Sequence, residues 1–157
     1  MSQPKIQHDD LSVAAASAAR GNLPILMIVS QHYCPFCVRL KEEIIFPMLI
    51  SSDYEPKAVI TEILLDDPGE IRDFKGKPIK PGTLAAQYHV WVTPTLLFLD
   101  STGRELHRRM LGVNTIEMYS YYLDTSLDAA LEALRSGDYS YVAVSYTHLT
   151  LPTTRLV

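Results

Sequence analysis

Cysteine is scarce in this sequence of 157 residues, which contains only Cys34 and Cys37. Two cysteines cannot form the several cross-links that stabilise a small disulfide-rich scaffold. They leave one dithiol, whose members are separated only by Pro35 and Phe36. Such a pair can serve redox chemistry, contribute half of a metal site, or pack as two ordinary core thiols.

Long apolar runs and clusters of basic residues are also missing. The apolar stretch at residues 22–30 is far shorter than the roughly 20 residues of a membrane-spanning helix. The net charge is −4, and no basic run is present that could neutralise a phosphate backbone. We therefore expect neither a membrane span nor a nucleic-acid partner. A hydrophobic content of 47% with 20% charged residues is typical of one globular domain.

The first residues lack the apolar segment of a secretory signal peptide, so either the protein is cytoplasmic or its true start lies upstream. A reverse translation of Val144 to Thr153 reproduces a transposon end and adapter used in sequencing libraries. An ordinary flexible tail is the alternative. We interpret residues 143–157 as a non-native translation of adapter sequence and assign residues 1–142 to a single domain.

Helical and strand patterns alternate through this domain. Capping residues and helical periodicity predict four helices, at residues 9–21, 35–51, 83–90 and 114–137. We expect the first to be capped by Asp9 or Asp10 and ended by Gly21, and the second to be kinked or ended by Pro47. Apolar and β-branched runs predict strands at residues 24–30, 57–66, 93–100 and 104–112, the last two paired as a hairpin. Residues 67–82 predict a loop, and the order of elements predicts an α/β fold with helices on both faces of a mixed sheet.

This arrangement resembles the thioredoxin fold over about residues 25–135. The resemblance rests on a strand followed by Cys34-Pro35-Phe36-Cys37 and a helix, on Val92-Thr93-Pro94 before a later strand, and on the final hairpin. It implies a thioredoxin-like α/β fold with a central four-stranded mixed sheet flanked by helices, here with an extra N-terminal helix. The nearest likeness is to periplasmic thioredoxin-related proteins of bacteria, which are small dithiol reductants with this kind of site.

Within this resemblance, Cys34 is expected at the N-cap of a helix, with Pro35 at the first helical position. The partial positive charge of a helix N-terminus favours a thiolate. Thiols in such positions have pKa values of about 3.5–7.5, against about 8.5 for free cysteine. We therefore expect Cys34 to attack substrate disulfides and Cys37, one turn along, to resolve the mixed disulfide.

The resemblance also assigns a substrate-binding role to Thr93 and Pro94. In thioredoxin-like proteins the matching proline is cis and faces the cysteine pair, which leaves the backbone of the preceding residue free to bind an extended substrate. Pro94 is therefore predicted to be cis; a trans Thr-Pro that simply begins a strand is the alternative. His89 and Trp91 either line the same groove or pack around the start of the strand.

His32, Tyr33, Pro35 and Phe36 are the predicted surroundings of the active site. A protonated His32 favours a neighbouring thiolate, although a partly exposed histidine without a chemical role is the simpler interpretation. The residues between the cysteines differ from the Gly-Pro of thioredoxin, so the reduction potential of thioredoxin cannot be transferred to this chain.

The buried acid expected on the strand before the cysteines is missing as well. Ile28 occupies about that position. Glu42 or Glu43, on the following helix, is the remaining candidate for a proton relay. Glutamates on a helix are more often solvated or ion-paired than buried.

Metal and haem sites are poorly supported by the sequence. A structural zinc site needs four ligands, and the chain has no second Cys-x-x-Cys or closely spaced histidine pair. Haem attachment needs a histidine after the second cysteine, where Val38 stands. We expect no metal, and no cofactor other than a redox-active disulfide between Cys34 and Cys37.

The sequence therefore predicts a monomeric thiol–disulfide oxidoreductase that reduces protein disulfides and is itself reduced again by an upstream electron donor. The alternative is a binding module whose dithiol only senses redox state. The resemblance favours a periplasmic location, whereas the missing signal peptide favours the cytoplasm if Met1 is the true start. The localisation therefore stays open.

Overall fold

The computed structural model describes residues 6, 9–50, 57–112 and 116–139. The proposed adapter-derived segment, 143–157, and the predicted helix cap Asn114 lie outside these residues and stay predictions. The described helices are α1 (Leu11–Gly21), α2 (Pro35–Leu40), α3 (Phe46–Ile50), α4 (Pro81–Gln87) and α5 (Ile116–Ser136), with a π-helical segment, Lys41–Ile45, between α2 and α3. The described strands are β1 (Ile25–Ser30), β2 (Val59–Leu64), β3 (Ile71–Arg72), β4 (Pro78–Ile79), β5 (Thr95–Leu99) and β6 (Glu105–Leu111).

The central sheet has the strand order β2-β1-β5-β6. Strand β1 runs parallel to β2 and antiparallel to β5, and β5 runs antiparallel to β6. The predicted four-stranded mixed sheet, flanked by helices and preceded by an N-terminal helix, is therefore confirmed. This topology brings the C-terminal end of β1, where the cysteines follow, beside the N-terminal end of β5, where Pro94 precedes the strand.

Helices cover both faces of this sheet, and β1 is therefore buried throughout its length. Successive side chains of a strand point to opposite faces. Leu26 and Ile28 accordingly pack in a cluster with α2, the π-helical segment and α5. Met27 and Val29 pack in a second cluster with α1 and α4. The continuous apolar run of β1 thus fits a central strand with a core on each side.

Both ends of α1 are set by short-range interactions. Asp10 is the N-cap, and its carboxylate accepts the N–H of Ser12 at 2.9 Å. The helix ends at Gly21, as predicted, but the residue in the left-handed conformation is Asn22, with φ 51°, whose N–H bonds back to Ala18 and Ala19. Asparagine tolerates this conformation better than most residues, which makes it an alternative to glycine at a helix end.

Pro47 does not end the second predicted helix, which continues to Ile50, although the α-helical geometry is interrupted just before this proline. The backbone shifts to π-helical geometry at Lys41–Ile45, and Pro47 then lies in the first turn of α3. A missing N–H is tolerated in a first turn. The segment predicted as a loop also contains a small hairpin, in which Ile71 pairs with Ile79. Strands of two residues are too short to show a hydrophobic period.

None of the helices in the described part of the chain is both long and apolar enough to cross a membrane.

Candidate active site

Cys34 is the N-cap residue of α2, and Pro35 occupies the first helical position. The backbone of Cys34 is extended, with φ −133° and ψ 93°, and its Sγ accepts a hydrogen bond from the N–H of Cys37 at 3.2 Å. This bond satisfies one of the N–H groups that a helix start leaves without a partner. A negative charge on Cys34 Sγ is therefore stabilised by this hydrogen-bond donor and by the positive end of the helix dipole.

The two cysteines form a disulfide, with their Cα atoms 5.2 Å apart. Cys34 is 6% exposed and Cys37 is 2% exposed. The structure is therefore the oxidised form of the dithiol predicted from the sequence. Of the two cysteines, Cys34 is the more exposed.

Thr93 and Pro94 face this disulfide from the start of β5. The Thr93–Pro94 peptide bond is cis, which is the predicted isomer. The hydroxyl of Thr93 lies 3.5 Å from Cys34 Sγ and donates toward it, across 59 residues of sequence. Pro94 is buried, and its C=O accepts the N–H of Gly112 at 2.8 Å. The backbone N–H and C=O of Thr93 make no hydrogen bond to another described residue.

Four exposed apolar side chains flank this contact, and together we call them the apolar rim: Tyr33, Phe36, Trp91 and Val92. Tyr33 is 95% exposed and Trp91 is 73% exposed. Tyr33 and Phe36 belong to the cysteine motif, whereas Trp91 and Val92 precede Thr93. Because the hydroxyl of Thr93 lies 3.5 Å from Cys34 Sγ, the two chain segments that carry the rim approach each other at the disulfide. Clustered exposed apolar surface of this kind marks a binding site more often than isolated exposed residues do.

His32 is held by Asp66, which follows β2. The carboxylate of Asp66 accepts the backbone N–H of His32 at 3.1 Å and lies 3.0 Å from its ring Nδ1. Partial burial acts to raise the pKa of Asp66, but the hydrogen bonds and charge of His32 outweigh it and lower that pKa. The imidazole is thus bound to a carboxylate. Asp66 also fixes the backbone two residues before Cys34, a role that sequence reasoning missed.

A buried polar cluster lies below the cysteine pair and consists of Ser30, Lys41 and Glu62. Glu62 is 2% exposed, and its Oε2 accepts from Ser30 Oγ at 2.8 Å and pairs with Lys41 Nζ at 3.0 Å. The N–H of Lys41 bonds to the C=O of Cys37, so Lys41 lies one turn beyond that cysteine. Ser30 ends the strand that leads to the motif.

Glu62 supplies the buried acid that β1 lacks. Its register partner across the parallel pair is Ile28, the position where the acid was expected. Glu42 is exposed and Glu43 pairs with Arg39 at the surface, so neither candidate named from the sequence is the buried acid. The signal that could have found Glu62 was a lone glutamate inside an apolar strand.

A dithiol at a helix start, facing a cis-proline on a mixed sheet, defines the thioredoxin class of thiol–disulfide proteins. The chain belongs to the thioredoxin-like domain family, whose model matches residues 11–126. This fold with its Cys-x-x-Cys pair supports thiol–disulfide oxidoreductase chemistry in general.

Solved structures show the same fold at low sequence identity. A thioredoxin h from poplar is 16% identical, with 76% of this chain and 96% of that chain covered and a TM-score of 0.51. A DsbH oxidoreductase is 21% identical, with 80% and 87% covered and a TM-score of 0.53. A thioredoxin from Thermus thermophilus is 18% identical, with 78% and 87% covered and a TM-score of 0.52. No curated protein matches the chain.

Proposed function

We propose that this protein reduces disulfide bonds in protein substrates, with Cys34 as the nucleophile and Cys37 as the resolving thiol. The observation that carries the proposal is the position of Cys34 Sγ, at the N-cap of α2 and 3.5 Å from the hydroxyl of Thr93 beside a cis-proline. The reducing direction rests on the resemblance to small dithiol reductants.

The reaction proceeds by two exchanges between sulfur atoms. The Cys34 thiolate attacks one sulfur of the substrate disulfide, which forms a mixed disulfide and releases the other substrate sulfur as a thiolate. Cys37 then loses its proton and attacks Cys34 Sγ, which releases the second substrate thiolate. The substrate gains two electrons, and the protein is left with the Cys34–Cys37 disulfide seen in the structure. An upstream dithiol donor returns it to the reduced form.

Helix geometry supports the choice of nucleophile. The N–H of Cys37 already donates to Cys34 Sγ, and a hydrogen bond to a charged form favours that form. Cys37 lies inside the first turn and is almost fully buried. A substrate disulfide therefore reaches Cys34 first, and Cys37 is placed to attack only after the mixed disulfide has formed.

The surface around the disulfide supports a polypeptide substrate. An extended chain can bind through its backbone to unpaired N–H and C=O groups, as in strand addition. The backbone of Thr93 has both groups free of other described residues. The apolar rim lies on each side of this backbone and is suited to the apolar side chains of an unfolded or extended segment.

Insulin reduction, followed by the precipitation of its released chain, tests the proposal. We expect turnover by the full chain, complete loss in Cys34→Ser, and accumulation of a mixed disulfide in Cys37→Ser. A reduction potential near −270 mV, measured against glutathione, supports the reductase direction, and one near −120 mV indicates an oxidant.

The second candidate is a redox-sensing binding module, which the exposure of the apolar rim also suits. If circular dichroism shows that the protein is folded but no turnover is observed, the binding module is favoured over the enzyme. The partner would then bind the reduced and oxidised forms with different affinities, which calorimetry measures.

A further inference from the structure

Residues 89–94, which we call the platform segment, carry one half of the apolar rim and are held at both ends by β6 and the residue after it. At one end the N–H of Gly112 donates to the C=O of Pro94 at 2.8 Å. At the other end Nη1 of Arg109 donates to the C=O of His89 at 3.3 Å. Between these two points lie Trp91, Val92 and Thr93.

The part of β6 that carries Arg109 is irregular. Both register shifts of the β5–β6 ladder lie within residues 105–110, and Leu97 alone lies opposite Arg108 and Arg109. A regular strand would separate the Cα atoms of residues four apart by about 13 Å. Bulges bend a strand and re-aim its side chains, which fits the ion pair that Glu105 and Arg109 form across this distance in sequence.

This ion pair fixes the guanidinium of Arg109. Its Nη2 donates to Oε1 of Glu105, and the two side chains are only 14% and 10% exposed. Charged groups this far from water are tolerated only when each is well paired, so Glu105 and Arg109 hold each other in place. A guanidinium presents several donors in one plane, so one nitrogen pairs with Glu105 while another reaches His89. The single amine of a lysine could not make both contacts.

His89 is the first residue beyond the cap of α4, and its φ of 56° is left-handed. The N–H of His89 bonds to the C=O of Ala86 at 3.0 Å, and the N–H of Val90 bonds to the C=O of Ala85 at 3.0 Å. This is the Schellman pattern of a helix end, in which glycine is usual at the left-handed position because a side chain disfavours that conformation. Arg109 therefore holds a residue whose uncommon conformation sets the direction of the chain into the platform segment.

We propose that Arg109 is a positioning residue for substrate binding, which holds the C=O of His89 and thereby orders the platform segment with its exposed Trp91. The inference rests on the proposed function, since it concerns the surface that a polypeptide substrate would contact. A surface that is already ordered loses less conformational entropy when a substrate binds, and the substrate then binds more tightly. Arg109 acts through the platform segment, so it should affect the binding of a polypeptide and leave the sulfur chemistry of Cys34 unchanged.

Trp91 is the only tryptophan in the sequence, so its fluorescence reports on the platform segment directly. Time-resolved fluorescence anisotropy of the full chain measures the fast local motion of this side chain. Arg109→Lys keeps a charge beside Glu105 without the bond to His89, and we expect a larger amplitude of fast motion. Arg108→Lys makes the same change at the exposed neighbouring arginine and should leave the motion unaltered. Unaltered motion in folded Arg109→Lys, or an equal increase in both variants, would overturn the proposal.

A double variant covers the case in which Arg109→Lys does not fold. Glu105→Gln combined with Arg109→Gln removes both charges together, so neither is left buried without its partner. The side chain of glutamine is too short to replace the guanidinium at the C=O of His89. We expect the same larger amplitude of Trp91 motion in this variant, and an amplitude equal to that of the unaltered chain would contradict the role of Arg109.

Insulin reduction separates substrate binding from chemistry. We expect Arg109→Lys to raise the KM for insulin about fivefold, with kcat changed by less than about twofold. The rate with a small aromatic disulfide, which does not span the platform segment, should be unaltered. A lower kcat with unchanged KM, or an equal loss with the small disulfide, would contradict a positioning role. If the unaltered chain does not reduce insulin, the proposed function fails, and the motion of Trp91 still decides whether Arg109 orders the platform segment.

Discussion

The two sides of the cysteine pair invert the usual distribution of polar and apolar side chains. Above the disulfide, the apolar rim exposes Tyr33 and Trp91 to solvent. Below it, Glu62 is buried in the protein interior, where Lys41, a quarter exposed, pairs with it. Exposed large apolar groups and buried charges are the two informative exceptions to the general burial pattern. Their meeting at one disulfide indicates that function, more than stability, shaped both regions.

The physical roles of the two regions differ. An apolar side chain in water costs the fold little, and its burial by a substrate contributes binding free energy. A buried carboxylate, by contrast, is tolerated only when cations and hydrogen-bond donors surround it. The rim should therefore affect substrate binding without affecting folding, whereas the cluster should affect folding first.

The largest expected effect is on stability, from Glu62→Ala. Removing the carboxylate leaves Lys41 largely buried without its partner, and breaking one side of a buried ion pair costs about 3 kcal/mol or more in free energy of unfolding. Urea unfolding measures the loss. The matched control is Glu42→Ala, which removes an exposed carboxylate from the π-helical segment that carries Lys41 and should change stability by less than about 0.5 kcal/mol. Equal stabilities of these two variants would remove the distinction between cluster and surface.

Substitution of the rim should give the next largest effect, on substrate binding alone. Trp91→Ser removes a large exposed apolar side chain beside Thr93, and we expect about a tenfold higher KM for reduced-insulin formation, or about 1.4 kcal/mol. Reduction of a small aromatic disulfide that cannot span the rim should be unchanged. Val13→Ser, at an exposed apolar position on α1, is the control for lost surface hydrophobicity. A stability loss in Trp91→Ser would mean that the rim is part of the core.

Asp100, which follows β5 at the end opposite Pro94, has a buried carboxylate that forms no ion pair with another described residue. Burial acts to raise the pKa of Asp100, but hydrogen bonds from Thr102 and from the N–H of Arg104 outweigh it and lower the pKa. A lowered pKa stabilises the fold above the unfolded value of about 3.9, and this contribution is lost as pH falls through the folded value. Asp100→Asn should therefore narrow the difference in unfolding free energy between pH 7 and pH 3. An unchanged difference would contradict the assigned hydrogen bonds.

The smallest effect is expected from a surface ion pair. Lys57 Nζ lies 2.7 Å from Asp124 and 2.8 Å from Asp128, both of which are exposed. Their hydrogen bonds raise the pKa of Lys57, so the stabilisation is present below about pH 10 and is lost as pH rises through the folded value. Lys57→Met should cost less than about 1 kcal/mol at pH 7, and the loss should shrink in high salt. A loss as large as that of Glu62→Ala would show that burial does not separate the two pairs.

Local sequence was sufficient for most of the elements and for the cysteine site. Asp10 as a cap, Pro35 at the first position of α2 and Gly137 after α5 all depend on neighbours within one helical turn. Two of the differences concern single elements. Helix α1 ends at Gly21 as predicted, but Asn22 is the residue in the left-handed conformation, which both residue types can adopt. The β3–β4 hairpin was missed because its strands are too short to show a period.

The elements, their order and the pair of cysteines at a helix start can all be read from the sequence, since hydrophobic period and caps act over a few residues. Which distant side chains meet depends instead on how the elements are arranged in space. Thr93 reaches Cys34 because β1 and β5 are neighbours, and Glu62 takes the place of an acid at Ile28 because β1 and β2 are parallel and in register. Such contacts depend on strand order and register, which no short stretch of sequence contains.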